Sequence, residues 1–174
     1  VLALDELGVT FIEAGNPGSN PKDMEFFIEA KKLQLKNSKI VAFGSTRRRD
    51  LSCAEDVNLQ SLLSADTEYV CIFGKTWDFQ VTDILHATLD ENIEMIRDTV
   101  AYLKSKDKKV IFDAEHFFTG YKANPEYALK SLEAAVEGGA VCLSLCETKG
   151  GAMPSECKNA VEAVASRFGS KVEV

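Results

Sequence analysis

Histidine is scarce in this 174-residue sequence: His86 and His116 are the only two, and they form no His-x-His pair. Cys-x-x-Cys is missing as well, so neighbouring residues supply no compact metal-ligand motif. Positive charge is short, since 20 Lys and Arg face 27 Asp and Glu for a formal net charge of -7. A general nucleic-acid binder or a peripheral protein of anionic membranes needs the opposite balance, to displace counterions or meet lipid phosphates. No apolar run approaches the roughly 20 residues that span a bilayer. Asp5 and Glu6 stand where a secretory leader carries basic residues. A cytosolic protein with no membrane or nucleic-acid partner is expected. Neither GxGxxG nor GxxxxGK followed by Ser or Thr occurs, which leaves dinucleotide and P-loop readings without a motif. Low-complexity linkers are lacking too, and Arg47-Arg48-Arg49 is the single charge block, so residues 1–174 read as one domain.

What is present is the composition of a folded chain, 45% apolar and 27% charged. The five cysteines, Cys53, Cys71, Cys142, Cys146 and Cys157, are odd in number and lie in or beside apolar segments. Reduced core thiols are expected rather than a disulfide framework. Cys142 and Cys146 are four apart in an expected strand, pointing to one face about 13 Å from each other, too far to share a metal.

Six segments carry the apolar or β-branched signature of strands: residues 9–13, 39–44, 69–74, 109–115, 140–147 and 171–174. Amphipathic stretches separate them. In the clearest, Ile93, Ile96, Val100 and Leu103 fall on one helical face. In SNPKDMEFFIEAKKL, Ser19 or Asn20 can cap a helix, Pro21 fits its first turn, and Asp23 and Glu25 suit the positive end of its dipole. Asn124 and Pro125 repeat that start, and Gly138 and Gly139 mark the stop. Strands joined by single helices form a parallel sheet through right-handed crossovers. A doubly wound sheet and a barrel both satisfy this. The barrel is favoured, because polar residues follow the carboxyl end of nearly every strand instead of one switch point. The expected class is α/β, a partial (β/α)8 barrel of about five complete βα units plus the start of a further strand. VLALDELGVT reads as the end of a helix feeding a strand, so the expected barrel lacks its first strand and its last ones.

In such a barrel EAGNPGSNPKD, FGSTRRRD, FGKTWDF, FDAEHFFTGYKANPEYAL and CETKGGAMP converge on one mouth. From about Leu2 to Val174 these long, irregular strings resemble citramalate synthases, with isopropylmalate and homocitrate synthases more distant. The resemblance implies a (β/α)8-barrel acyltransferase of isoleucine biosynthesis. A base removes a proton from the acetyl-CoA methyl, the enolate attacks the ketone of a metal-bound 2-oxo acid, here pyruvate, and the thioester is hydrolysed. It also implies a divalent metal, Mg or Mn, and a homodimer. The metal ligands of that family, an Asp of an Arg-Asp pair and a His-x-His pair, have no counterpart here, so this chain alone is expected to be inactive and to hold no metal. A homocitrate or isopropylmalate synthase, a related lyase, and a non-catalytic interaction module are the alternatives.

The resemblance marks Glu115, at the end of KVIFDAE, as acid/base or acceptor-positioning residue. Asp113, two residues earlier on the same face, is implied in acceptor binding. Such a carboxylate pair can push one pKa upward; bonds to backbone or lysine at the barrel top are the alternative. Thr148 in CETKGG is implied to hold the acceptor's carboxylate, or else caps a turn; Glu147 and Lys149 replace the family's Asp and Asn beside it. Glu13 is implied near the metal. Arg47 and Arg48 can meet CoA phosphates through bidentate guanidinium contacts, or pair with Asp50, Glu55 or Asp56. Trp77 and Phe79 line the acceptor pocket or simply pack. Cys71, where isopropylmalate synthases tend to carry His, favours a small acceptor. His116 is expected to face away from Glu115, and His86 to sit near a helix start.

Overall fold

A computed structural model describes residues 1–174. In chain order it contains α1 (Leu2–Glu6), β1 (Phe11–Glu13), α2 (Pro21–Ala30), β2 (Lys39–Ser45), α3 (Val57–Ala65), β3 (Tyr69–Lys75), α4 (Leu89–Lys104), β4 (Lys109–Glu115), α5 (Phe117–Ala123), α6 (Pro125–Gly138), β5 (Cys142–Leu145) and α7 (Pro154–Phe168). A π-helical turn, Gln80–Ile84, precedes α4.

Local chemistry explains several starts and stops. Asn20 accepts the N–H groups of Lys22 and Asp23 ahead of Pro21. Thr88 and Glu91 form a capping box on α4, which satisfies two otherwise unpaired donors. Asn124 caps α6 by accepting from Tyr127, and Gly139 ends it at φ 98, a conformation that favours glycine. Asp5 in α1 is buried and accepts the backbone N–H groups of Lys36, Asn37 and Ser38. The Lys36 amide first, then that of Asn37, holds its carboxyl down at about 2.

All strand pairs are parallel, and the sheet order is β1-β2-β3-β4-β5, with no reversal. An unreversed run of βα units curls into a barrel wall, whereas a doubly wound sheet must change direction at its switch point. The expected strand at 9–13 shortens to Phe11–Glu13, and 171–174 contributes one bridged residue, Glu173, beside Cys142. The segment 140–147 is likewise shorter, so Cys146 lies one residue past β5.

Period-two alternation divides the sheet into two faces. Ala42, Val70, Ile72, Val110, Phe112, Ala114 and Leu143 are buried under the helices. Ile93, Ile96, Val100 and Leu103 of α4 are buried in the same cluster, as their spacing implies. Packing is close: a Cβ on Gly74 would stand 2.7 Å from the Phe112 ring. The inner face carries a second, small cluster of Val41, Cys71 and Ile111, flanked by Phe43, Tyr69 and Cys142. Register stacks this face in rows, from Phe43–Cys71–Ile111–Cys142 through Phe73–Asp113–Ser144 to Lys75–Glu115. The rows change from apolar to charged toward the carboxyl ends. The five cysteines are free. No helix is long and apolar enough to cross a membrane.

Candidate active site at the carboxyl ends of the strands

Glu115 is the last residue of β4 and Lys75 the last of β3, and they are register partners. Their side chains form an ion pair, 20% exposed for Lys75 and 27% for Glu115. Buried polar groups fix both strand ends from behind. The Thr76 hydroxyl, 0% exposed, donates to the Glu115 carbonyl at 2.8 Å. Asn92 of α4, also fully buried, donates to the Lys75 carbonyl and to the Tyr127 hydroxyl, each at 2.8 Å. A buried donor left unpaired costs about 1–3 kcal/mol, so these bonds hold the two backbones in one place.

Asp113 lies one row deeper and accepts a hydrogen bond from the Cys146 thiol. Burial pushes the Asp113 carboxyl above the usual range; the Cys146 bond opposes this, and the Glu115 charge adds to it. The expected upward shift within the carboxylate pair thus falls on Asp113, with burial ahead of the neighbouring charge. Burial also raises the Glu13 carboxyl on β1, against a hydrogen bond from Cys71. The Cys71 thiol is driven far upward, and Cys146 up to about 12, in both cases chiefly by burial. Neither is poised as a nucleophile, because the thiolate is the reactive form. Cys146 acts instead as a thiol donor to the Asp113 carboxylate.

The Thr148 hydroxyl accepts the backbone N–H of His116 at 3.0 Å. It ties the loop after β5 to the residue that follows Glu115, and its own O–H remains a donor. His116 leaves the strand with φ 55. Its ring lies 6.1 Å from that of Trp77, and its Nδ1 is buried without a partner. Glu147 folds the CETKGG turn by accepting from Gly150 and Ala152.

The arginines are paired differently from the sequence expectation. Arg47 bridges to Asp98 at 2.8 Å and Arg49 to Glu91 at 3.3 Å, both acids of α4. Asp56 instead accepts the backbone N–H of Arg48. The Arg48 guanidinium is exposed and has no bonded partner. Arg47, Arg48, Phe73 and Lys75 border one cavity of about 120 Å³.

Asp113 and Glu115 therefore share one mouth, Glu13 lies near enough for the Asp113 charge to act on it, Thr148 is tied to the mouth through His116, and Arg48 borders a cavity that Lys75 also lines. Lys75 and Cys146 are the members that sequence reasoning missed. The signal for Lys75 was its place at the end of YVCIFGK, in step with Tyr69, Cys71 and Phe73. The residues present do not fit a divalent metal. No three His, Cys, Asp or Glu side chains converge as a ligand set, and Glu115 and Asp113 are engaged by Lys75 and Cys146.

The chain is 54% identical to the (R)-citramalate synthase of Aquifex aeolicus over 165 residues, covering 95% of this chain and 31% of that protein. Identity to the (R)-citramalate synthase of Sulfolobus acidocaldarius is 48%, covering 98% of this chain and 33% of that protein. A homocitrate synthase of Sulfolobus acidocaldarius is 29% identical, over 95% of this chain and 34% of that protein. The chain thus spans about a third of the length of these curated relatives. Among solved structures, the HMG-CoA lyase of Bacillus subtilis superposes with a TM-score of 0.73 at 18% identity, over 97% of this chain and 56% of that one, which speaks for the fold alone. A family model described as HMGL-like matches residues 1–174; the chain belongs to the HMGL-like family.

Proposed function

We propose that this chain is the central wall of the catalytic barrel of an acyltransferase that condenses acetyl-CoA with pyruvate to give citramalate. The observation that carries this is the convergence of Glu115, Lys75 and Asp113 at one mouth of a chain about half identical to (R)-citramalate synthases and far less so to a homocitrate synthase. Glu115 removes a proton from the acetyl methyl. The resulting carbon nucleophile attacks C2 of pyruvate, the alkoxide is protonated, and water cleaves the thioester to release CoA. Asp113 and Thr148 orient the acceptor, Thr148 through the O–H that His116 leaves free. Glu13 closes the same mouth from β1, and Arg48 meets the CoA phosphates, with Arg47 held beside it. A divalent cation, Mg or Mn, would polarise the ketone when bound; the residues here do not fit it, so its ligands belong to other segments of the longer protein. This chain alone is then inactive, and the complete protein works in the cytosol as a homodimer.

Acceptor profiling of the complete protein tests the reading. Pyruvate should be used with a kcat/KM at least tenfold above that for 2-oxoglutarate or 2-oxoisovalerate. Thr148→Val should raise KM for pyruvate about tenfold, the equivalent of one lost hydrogen bond, with a smaller change in kcat. A preference for 2-oxoglutarate would assign a homocitrate synthase instead. An unchanged KM would return Thr148 to holding the turn.

A further inference from the structure

Lys75 is the one cation among the inward residues at the carboxyl ends of β3 and β4, where Glu115 is its register partner and Asp113 lies one row deeper. Its ammonium has three N–H donors, and one of them is used, on Glu115. The Phe73 ring lies 5.5 Å from it and offers no second acceptor. The nearby guanidinium of Arg47 is committed to Asp98, and that of Arg49 to Glu91. A carboxylate base and an ammonium with two idle donors therefore stand side by side at the ends of adjacent strands. Their backbones are fixed by Thr76 and Asn92.

We propose that Lys75 is a catalytic residue: the cation that takes up the negative charge formed on the thioester carbonyl oxygen when Glu115 removes a methyl proton. The inference rests on the acyltransferase reading above. In this step the methyl C–H bond breaks and its proton goes to the Glu115 carboxylate. The C–H electron pair becomes the C=C bond of the enolate, and the carbonyl π pair moves onto oxygen. The two idle donors meet that oxygen while the third stays on Glu115, so base and charge acceptor lie within reach of one acetyl group. A fixed, charged donor in a site with little water stabilises such an oxyanion far more than solvent does.

The test uses the complete protein. Lys75→Met should lower kcat on the order of 10²–10³-fold, the usual cost of an oxyanion donor, and Lys75→Arg should retain part of the activity. A structural role alone would also depress kcat, so the deciding readout is binding. A CoA thioether ending in a carboxymethyl group mimics the enolate oxygen. Lys75→Met should weaken its Kd about 100-fold while leaving that of acetyl-CoA within about threefold. Should the methionine variant misfold, the same comparison is made with Lys75→Arg, which should weaken the mimic about tenfold. Equal changes for the two ligands, or an unchanged Kd for the mimic, would overturn the role of Lys75. A wild-type protein that binds the mimic but forms no citramalate would instead remove the acyltransferase reading on which it rests.

Discussion

Glu115→Gln in the complete protein should lower kcat on the order of 10³-fold, within the range set by loss of a positioned general base. The amide keeps the volume of the carboxylate and still accepts from the Lys75 ammonium, but it cannot take a proton. The Thr76 bond to the Glu115 carbonyl is a backbone contact and survives the change. Thermal unfolding should therefore move by no more than a few degrees, and KM for pyruvate by less than about threefold. A loss confined to kcat is the mark of an interaction made in the transition state. Turnover within about threefold of wild type would remove Glu115 as the base. Asp113 would then be the candidate, since burial already holds its carboxyl above the usual range.

The largest expected effect on stability comes from the other face of the same strand. Phe112 is 0% exposed and sits between Ala114 and Val110 in the row that packs under the helices, its ring against Gly74. Phe112→Ala should cost about 3–5 kcal/mol, the transfer of the ring plus the cavity that it leaves. Phe112→Leu fills most of that space and should cost clearly less. Denaturant unfolding of the complete protein reports both. A loss below about 1 kcal/mol for the alanine variant would mean that the wall does not depend on this packing. The two strand ends stand on that packing, so the alanine variant should also lose activity.

The fold was legible where sequence patterns are local. Ile93, Ile96, Val100 and Leu103 announce α4 because helical spacing needs no tertiary partner. Asn20 and Asn124 announce helix starts because a cap bonds its own chain two or three residues on. The order of the barrel wall followed from βα alternation. The candidate site was half legible. Glu115 and Asp113 share a face by period two alone, which any strand imposes. The partner of Glu115 was not legible, because Lys75 meets it only through the register of β3 on β4, and a one-residue slip would turn Lys75 to the helices. The arginine partners were missed for a similar reason: Asp98 and Glu91 come from α4, while local acids stood closer in sequence. The separate helix α5 was hidden because His116 turns the chain out of β4 at φ 55, a residue with no glycine signal.

The most direct test of the central claim follows the acetyl methyl group. The complete protein is given acetyl-CoA with a fully deuterated methyl, together with pyruvate, and the product is examined by mass spectrometry. Citramalate that retains two of the three deuterium atoms, released with one CoA per product, is the expected result, since one C–D bond must break before the new carbon–carbon bond forms. CoA released with acetate and no new carbon–carbon bond would contradict the claim that the mouth built by Glu115, Lys75 and Asp113 performs a Claisen-type condensation.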